Sequence, residues 1–422
     1  MTLAMCAAVV MILDFTSVAH SETRPRLPTG QYLTPAAAPG SVFLRLNTML
    51  RVDGGADADG AAASFVSPDG TALLVLTTGY DTTYYAINGT PIVHAVLNPL
   101  TALPSATNTP AAQWVFVYDI RGTVPRLEQR LNIPLSYHGI AWDPRGLRFF
   151  VSGGPDDRVY IFKARNRTAV SAAQRWIPDA PFVALGHNSH GNAALSTQDG
   201  GLLSRTRAGR SPGARSQNLP FSAIAAGLAV SGDGRTIYVA NMQNDSLSVI
   251  DVDTRKVKRE IHFYKPGSVV ARGEYPFWVV VKSDTSGAAS KIYTSSLRDG
   301  EIIVTSPAGQ RVINVGGEPN KMALAPDGRY LYVANGDLDA VNVIDTDTDL
   351  LVRSISLRRP NSPYLGANPN DVAVSADGSR LYLTLGGENA LAVVDAPTSR
   401  VIGRIPTGWY PSGVSLSHDG RT

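Results

Sequence analysis

The sequence predicts an all-β protein, a seven-bladed β-propeller whose last blade is incomplete in this chain. Three observations predict this fold: one turn motif recurs along the chain, the segments after each copy have strand composition, and the repeat has the length of a blade. Repeats of about 40 to 50 residues that hold several short strands are typical of propeller blades. Because a single blade buries its apolar faces only against its neighbours, the repeats are expected to form one domain.

The recurring turn places a charged residue directly before a glycine. Its copies are Ser67-Pro68-Asp69-Gly70, Asp143-Pro144-Arg145-Gly146, Ser231-Gly232-Asp233-Gly234, Ala325-Pro326-Asp327-Gly328, Ser375-Ala376-Asp377-Gly378 and Ser417-His418-Asp419-Gly420. A seventh, weaker copy is Lys282-Ser283-Asp284. An aspartate can hydrogen-bond its own backbone and a glycine adopts positive φ, so each copy is expected to form a turn within a blade.

The fifth repeat shows how the strands follow from composition. Met322 to Ala325 is small and apolar throughout, which is typical of an inner strand buried on both faces. Tyr330 to Ala334 and Ala340 to Ile344 are rich in aromatic and β-branched residues, whereas Leu351 to Leu357 alternates apolar with polar residues. We therefore predict two middle strands and an outer strand with one face in solvent.

The composition agrees with one large domain over residues 62–422. The chain has 422 residues, of which 44% are hydrophobic and 17% charged, with 39 glycines and 28 prolines. This is the composition of a globular protein with many turns. The net charge of +3 is too small to indicate a nucleic-acid partner, and no long basic run is interleaved with aromatic residues.

Residues 1–21 are predicted to be a signal peptide. Leu3 to Leu13 is an apolar run, and Ala19-His20-Ser21 offers small residues at the positions that a signal peptidase recognises, although no Lys or Arg precedes the run. The run is too short to span a bilayer, so no transmembrane segment is expected. We expect the protein in the bacterial periplasm or outside the cell. The one cysteine, Cys6, lies in this segment, so the mature chain would have no thiol.

Both ends of the propeller predict an unusual closure of the ring. The seventh repeat opens at Val414 and the chain ends at Thr422, directly after the first turn of that blade. Residues 22–61 are expected to close the ring, with Val42 to Val52 supplying an outer strand. Because the rest of this blade is missing, we expect the chain to be a fragment of a longer protein.

Two kinds of segment resemble known proteins. Tyr238-Val239-Ala240-Asn241 and Tyr332-Val333-Ala334-Asn335, each followed by Val-Ile-Asp, resemble the YVTN-repeat β-propeller family of secreted and surface proteins. Arg26 to Pro35 and Leu74 to Asp81 resemble bacterial bifunctional proteins that combine YVTN repeats with an alkaline-phosphatase-family domain. This resemblance implies that a metal-dependent phosphoesterase domain follows the propeller. No cluster of Asp and His with a Ser or Thr nucleophile matching that domain is found in this sequence.

A ligand site is predicted at the mouth of the axial channel. Two long insertions, about Tyr80 to Gln113 and Pro178 to Ala226, are expected on the face where the inner strands begin. The residues at the strand starts are Ala62, His138, Ala226, Phe277, Asn320, Asn370 and Ser412. The polar members, His138, Asn320, Asn370 and Ser412, form a predicted ligand-binding arc, over which His187 and His190 of the second insertion are expected to lie. The alternative is that these polar residues simply cap the strand starts at a solvated rim.

Three functional hypotheses remain open. The first is a non-catalytic, exported binding or scaffold module that holds a protein, glycan or small-molecule ligand for a phosphoesterase domain, with no catalytic residue, metal or cofactor of its own. The second is a lactonase-like hydrolase at the channel mouth, which would need His138 as base or ligand near a carboxylate such as Asp371. The third, a quinoprotein-type oxidase, is disfavoured because no haem-binding or quinone-forming site is evident. Asp345 to Ser356 fails as a calcium loop, since Leu350 and Ser356 replace the required Gly and Glu.

Overall fold

The computed structural model describes residues 44, 46, 60–78, 96–97, 104–105, 113–133, 136–154, 157–165, 175–187, 223–263, 274–359 and 366–417. The predicted signal peptide, almost all of the predicted ring-closing segment and His190 lie outside the described residues. Among the described residues, no helix is long and apolar enough to cross a membrane.

The described strands form six antiparallel sheets, five of four strands and one of five, which we call blades 1 to 6, and one separate two-stranded sheet. Blade 1 contains β1 (Ala61–Val66), β2 (Ala72–Thr77), β5 (Gln113–Asp119) and β6 (Arg126–Ile133), with the short pair β3 (Val96–Leu97) and β4 (Pro104–Ser105) between β2 and β5. Blade 2 contains β7 (Ile140–Trp142), β8 (Arg148–Ser152), β9 (Arg158–Ala164) and β10 (Trp176–Pro178), and β11 (Val183–Ala184) also pairs with β9. Blade 3 contains β12 (Ala225–Val230), β13 (Thr236–Asn241), β14 (Ser246–Asp251) and β15 (Lys256–His262).

The remaining three blades follow the same order. Blade 4 contains β16 (Pro276–Ser283), β17 (Ala289–Ser296), β18 (Glu301–Ser306) and β19 (Gly309–Asn314). Blade 5 contains β20 (Pro319–Leu324), β21 (Tyr330–Asn335), β22 (Ala340–Asp345) and β23 (Leu350–Ser356). Blade 6 contains β24 (Pro369–Val374), β25 (Arg380–Leu385), β26 (Ala390–Asp395) and β27 (Arg400–Pro406), with a 3-10 helix at Gly386–Glu388.

The first strands of the six blades contact one another in sequence order, β1 with β7, then β12, β16, β20 and β24. They are the inner strands and surround a common axis, so the predicted all-β propeller is confirmed. The weaker copy of the turn, Lys282-Ser283-Asp284, also belongs to a complete blade, because it lies where β16 ends and leads into β17. The two predicted insertions lie between β2 and β5 and between β10 and β12, as expected.

The structure describes six blades, one fewer than the sequence predicts. Residues 411–417 form no strand, yet they lie between the inner strands of blades 6 and 1. The Val414 N–H is 3.2 Å from Oδ2 of Asp371 on β24, and the hydroxyl oxygens of Ser415 and of Ser64 on β1 are 2.8 Å apart. This segment therefore occupies the place where the inner strand of a seventh blade is expected.

The recurring turn joins the first and second strand of each blade, at the end of the propeller that we call the lower face. In five copies the glycine N–H donates a 2.8 Å hydrogen bond to the carbonyl three residues earlier. Those glycines have φ between 69° and 71°, a left-handed conformation that disfavours a side chain. They are Gly70, Gly146, Gly234, Gly328 and Gly378. The upper face is the opposite end, where the inner strands begin.

The core lies between neighbouring blades. Between blades 1 and 2, the rings of Phe149 and Phe162 stack with centroids 4.8 Å apart, and those of Trp142 and Trp176 meet at 5.2 Å. On the other side of blade 1, Phe116 belongs to a buried cluster of β5 side chains against which Leu46 packs. Leu46 belongs to the segment predicted to close the ring, so at least this residue of it contacts the side of blade 1 that faces away from blade 2.

Candidate functional site

The centre of the molecule contains a lysine. Lys321 lies on the inner strand β20, only 2% of its surface is exposed, and its Nζ donates hydrogen bonds to the carbonyls of Ala62 at 2.5 Å and Ser412 at 2.8 Å. The same Nζ lies 3.2 Å from Oδ2 of Asp371 and 5.2 Å from the ring centroid of Trp278. Lys321 therefore crosses the propeller axis and connects blade 5 with blade 1, blade 4 and residues 411–417.

Asp371 on β24 is the buried carboxylate that neutralises this lysine. Its Oδ1 accepts a hydrogen bond from the Val372 N–H at 2.8 Å, and its Oδ2 is shared by Lys321 and the Val414 N–H. Burial raises the pKa of Asp371, an effect that Lys321 and the two backbone N–H groups oppose. Through these contacts the pair connects the inner strands of blades 5, 6 and 1 near the axis.

His138 lies beside this pair, two residues before β7. Its ring makes edge contacts with Tyr137 and Phe277, at centroid distances of 4.6 and 5.0 Å. Burial, followed by the charge of Lys321, lowers the pKa of His138 to about 3, while a backbone hydrogen bond with Ala62 acts in the opposite direction. Its Nδ1 has no hydrogen-bond partner among the described residues. His138 is therefore uncharged at neutral pH.

A cavity of about 630 Å³ opens on the upper face between β1 and residues 409–413. Its described lining residues are Gly60, Ala61, Ala62, Ala63, Ser64, Val75, Thr78, His138, Trp409, Tyr410, Pro411, Ser412 and Gly413. None of these is acidic or a lysine or arginine. Trp409 and Tyr410 are the exposed aromatic residues of this rim, at 72% and 45%.

The other members of the predicted arc also lie at the upper face, where Asn370 and Ser412 bind the backbone. The Asn370 amide donates to the carbonyl of Pro411 at 3.3 Å, and the Ser412 hydroxyl donates to the carbonyl of Ala61. Asn320 precedes Lys321 on β20, and its amide nitrogen lies over Gly336, 3.0 Å from where a Cβ would stand. Of the predicted residues, the cavity lining brings together His138 and Ser412 only.

His187 does not join this arc. It is buried between blades 2 and 3, where its Nδ1 is 2.5 Å from Asp157 and its Nε2 is 2.7 Å from Glu260 on the outer strand β15. Burial alone would lower the pKa of His187, but its hydrogen bonds with the two carboxylates raise it to about 9. His187 thus connects a turn of blade 2 to blade 3. Its neighbour His190 is outside the described residues.

One further group of acidic residues lies on the upper face. Glu274, Asp299 and Glu301 are close enough to offer three carboxylate oxygens to one ion, and they are the one such group among the described residues. Burial, together with its acidic neighbours, raises the pKa of Glu274 to about 7. The Ser296 hydroxyl lies 3.0 Å from the Glu274 carboxylate. The sequence did not reveal this group because its members are far apart in the chain. Glu274 lies before the inner strand β16, whereas Asp299 and Glu301 lie where β17 leads into β18.

Sequence reasoning also missed Lys321 and Trp278. The available signal was a lysine beside the apolar run Met322 to Ala325, because a charge in a strand buried on both faces requires a partner. The position of this lysine in the sequence indicates that its charge has a partner in the fold. It does not identify Ala62, Ser412 and Asp371 as the residues that bind it.

Comparisons with known proteins agree with the propeller fold. No protein-family model matches the chain. It is 29% identical over 147 residues to the seven-bladed beta-propeller protein Rv1057 of Mycobacterium tuberculosis, a match that covers 34% of this chain and only 36% of that relative. Because the match spans little more than a third of the relative, it does not place the chain in a family.

Solved structures of low sequence identity share the fold over most of the chain. The hydrazine synthase of Kuenenia stuttgartiensis aligns with a TM-score of 0.56 at 17% identity, covering 87% of this chain and 92% of that one. A putative 6-phosphogluconolactonase of Bacteroides fragilis aligns with a TM-score of 0.54 at 12% identity, and the alignment covers 85% of this chain and 87% of that one. A catalytically inactive virginiamycin B lyase of Staphylococcus aureus with quinupristin aligns with a TM-score of 0.51 at 13% identity, and the alignment covers 86% of this chain and 87% of that one. At these identities the likeness extends to the fold alone.

Proposed function

We propose that this chain is an exported, non-catalytic β-propeller module that binds an uncharged glycan in the upper-face cavity beside the axis. The observation that carries the proposal is the described lining, which contains two exposed aromatic rings and polar groups but no formal charge. Sugar rings present C–H faces that pack on aromatic rings and hydroxyls that need neutral hydrogen-bonding groups. Trp409 and Tyr410 would supply the rings, and Thr78, His138 and Ser412 the polar groups.

The non-catalytic part of the proposal rests on the axial side chains. Lys321 donates to two carbonyls and Asp371, and Asp371 accepts from two backbone N–H groups, so neither has an evident free role toward a substrate. A histidine whose pKa is about 3 is a weak general base at neutral pH. The lactonase hypothesis, which relies on His138 and Asp371, is therefore the second candidate. A lactonase-like fold neighbour does not raise it above the first.

We also propose where the module acts and what surrounds it. The apolar run at 3–13 and the small residues that follow support export to the periplasm or the cell exterior. The resemblance of residues 26–35 and 74–81 supports a phosphoesterase domain as the partner that acts on the bound glycan. A seventh blade is supported by the place of residues 411–417 between β24 and β1, and by the seven-bladed relative.

The direct test is a glycan array probed with the purified chain, followed by titration calorimetry with the strongest binder. We expect Trp409→Ala to weaken that binding by roughly tenfold, since a stacking ring contributes on the order of 1 kcal/mol or more. Leu350→Ala, which removes an exposed apolar side chain from the outer strand of blade 5, is the matched control and should not change the affinity. Absence of glycan binding, or equal binding by the Trp409 variant, would overturn the proposal.

The lactonase hypothesis is tested with the same protein. Hydrolysis of gluconolactone above the spontaneous rate, lost in His138→Gln, would replace the binding proposal by an enzymatic one. No acceleration over the spontaneous rate is the outcome that we expect.

A further inference from the structure

The lower face carries a second cavity with the opposite electrostatic character. It lies between blades 1 and 2, has a volume of about 680 Å³, and is a different site from the upper-face cavity. Its described lining residues are Asp69, Arg145, Gly146, Leu147, Arg148, Lys163, Ala164, Arg165 and Arg175. Five of these side chains are cationic and one is acidic. We call this site the lower basic cavity.

Two carboxylates beneath the surface hold four of the neighbouring cations in place. The Asp143 side chain is fully buried, and it binds Arg145 through both Nε and Nη2 at 3.2 and 3.1 Å and Arg148 through Nη2 at 3.4 Å. Asp179 binds Lys163 at 2.7 Å and Arg255 at 2.7 Å. Each carboxylate carries one negative charge and binds two cations. Each group of three side chains therefore keeps a net positive charge, and the ion pairs hold its cations in place.

The acidic residue of the lining is Asp69, whose charge also acts on Arg175. Asp69 is engaged by its own turn, where its Oδ1 accepts from the Ser67 hydroxyl at 2.5 Å and from the N–H of Thr71 at 3.1 Å. The guanidinium carbon of Arg175 lies 5.4 Å from the ring centroid of the buried Trp176. Among the described residues, and counting Arg255 and the Asp253 that lies near Arg145, six cations and four carboxylates surround the lower basic cavity.

The cavity also has an apolar part. Leu147 is 56% exposed, although it lies between Gly146 and Arg148 in the turn that forms the floor of the cavity. In this position the leucine side chain would contact an organic group attached to an anion bound by the neighbouring guanidinium groups.

From this geometry we infer that the lower basic cavity binds a small phosphate monoester, a ligand with a doubly charged phosphate and an organic group of about the size of a sugar. Arginine guanidinium groups match phosphate oxygens with paired hydrogen bonds, and several fixed cations suit a ligand of more than one charge. The carboxylates hold these side chains before the ligand arrives, which lowers the entropy lost on binding. The inference is independent of the glycan proposal, because the two sites lie on opposite faces.

Titration calorimetry of the whole chain with glucose 6-phosphate, and with glucose, tests the inference. We expect saturable binding of one glucose 6-phosphate, weaker at higher salt, and no binding of glucose at this site. The double variant Lys163→Gln/Arg175→Gln should weaken the binding by roughly tenfold or more, because each removes a charge-assisted contact. Asp179 keeps Arg255 as a partner in this variant, so the fold is expected to persist, which thermal unfolding checks.

The matched control is Lys258→Gln/Arg329→Gln, which removes the same two charges from exposed pairs on blades 3 and 5. Its affinity for glucose 6-phosphate should equal that of the unchanged chain. Equal weakening in both double variants would reduce the effect to general electrostatic attraction and overturn the inference. Absence of saturable glucose 6-phosphate binding, or binding that Lys163→Gln/Arg175→Gln leaves unchanged, would overturn it as well.

Discussion

The Nζ of Lys321 on blade 5 donates a hydrogen bond to the carbonyl oxygen of Ala62 on blade 1, 259 residues away in sequence, at 2.5 Å. The contact bypasses blade 6 and reaches across the axis. With the bonds to Ser412 and Asp371, it ties together the two sides of the ring between which residues 411–417 lie. One buried cation thus connects the inner strands of blades 5, 6 and 1 with residues 411–417.

The first prediction concerns this cation. Lys321→Met should lower the free energy of unfolding by about 3 to 5 kcal/mol, because it leaves the buried Asp371 without a counter-charge. The double variant Lys321→Met/Asp371→Asn should cost less than the sum of the two single variants. Urea unfolding followed by tryptophan fluorescence measures all three.

Lys282→Met is the control for that experiment. Lys282 also pairs with an aspartate, but the side chain of that partner, Asp347, is 69% exposed, so the loss is expected to stay below about 1 kcal/mol. A loss for Lys321→Met as small as that of the control would show that the axial pair contributes little to stability.

The second prediction is a pH dependence set by His187. Its pKa of about 9 lies above the ordinary 6.5, so its stabilising effect is complete below pH 6.5 and is lost as the pH rises through 9. Its partner Glu260 has a pKa of about 2, lowered from 4.5 by His187 against the effect of burial, so that contribution is lost only as the pH falls through 2. We therefore expect the greatest contribution of this pair between about pH 4.5 and 6.5.

His187→Gln should remove this slope. Relative to the unchanged chain, the variant should be less stable by about 3 to 5 kcal/mol at pH 6, with the difference shrinking toward pH 9. The other groups near His187 are Asp157 and Glu260, and His262 lies near Glu260, so Glu260→Gln serves as the companion variant. Urea unfolding at one-unit pH steps gives the curves. Parallel curves for the variant and the unchanged chain would contradict the assignment of the slope to His187.

These two cases show which parts of the structure could be predicted from sequence. The blades were predictable because each local signal, such as the Asp327-Gly328 turn followed by β21, agrees with the repeat as a whole. The positions of six inner strands were predictable for the same reason, and the repeat pattern also placed His138 and Ser412 at the upper face. Lys321 was not predictable as a central residue, because its partners come from three distant segments. His187 was misplaced because it lies in a long insertion, where the blade pattern no longer determines the path of the chain.

The last prediction concerns an aspartate or asparagine that recurs at the upper turns between the second and third strands. Asp339 has φ of 50°, and its carboxylate accepts hydrogen bonds from the N–H groups of Gly366 and Asn368, both at 3.0 Å, just before β24. Asp245 and Asn389 occupy the same place and bind the N–H of Tyr275 and Tyr410. Each side chain thus anchors the connection that leads out of its blade.

Asp339→Ala should lower the free energy of unfolding by about 2 to 4 kcal/mol, because two backbone N–H groups lose their acceptor and an alanine must adopt a left-handed conformation. Asp339→Asn should recover part of this loss, since asparagine tolerates that conformation and keeps one acceptor oxygen. Asp337→Ala, an exposed change in the same turn, is the control and should have an effect within about 0.5 kcal/mol. If Asp339→Ala unfolds at the same urea concentration as Asp337→Ala, the anchoring role of this aspartate is wrong.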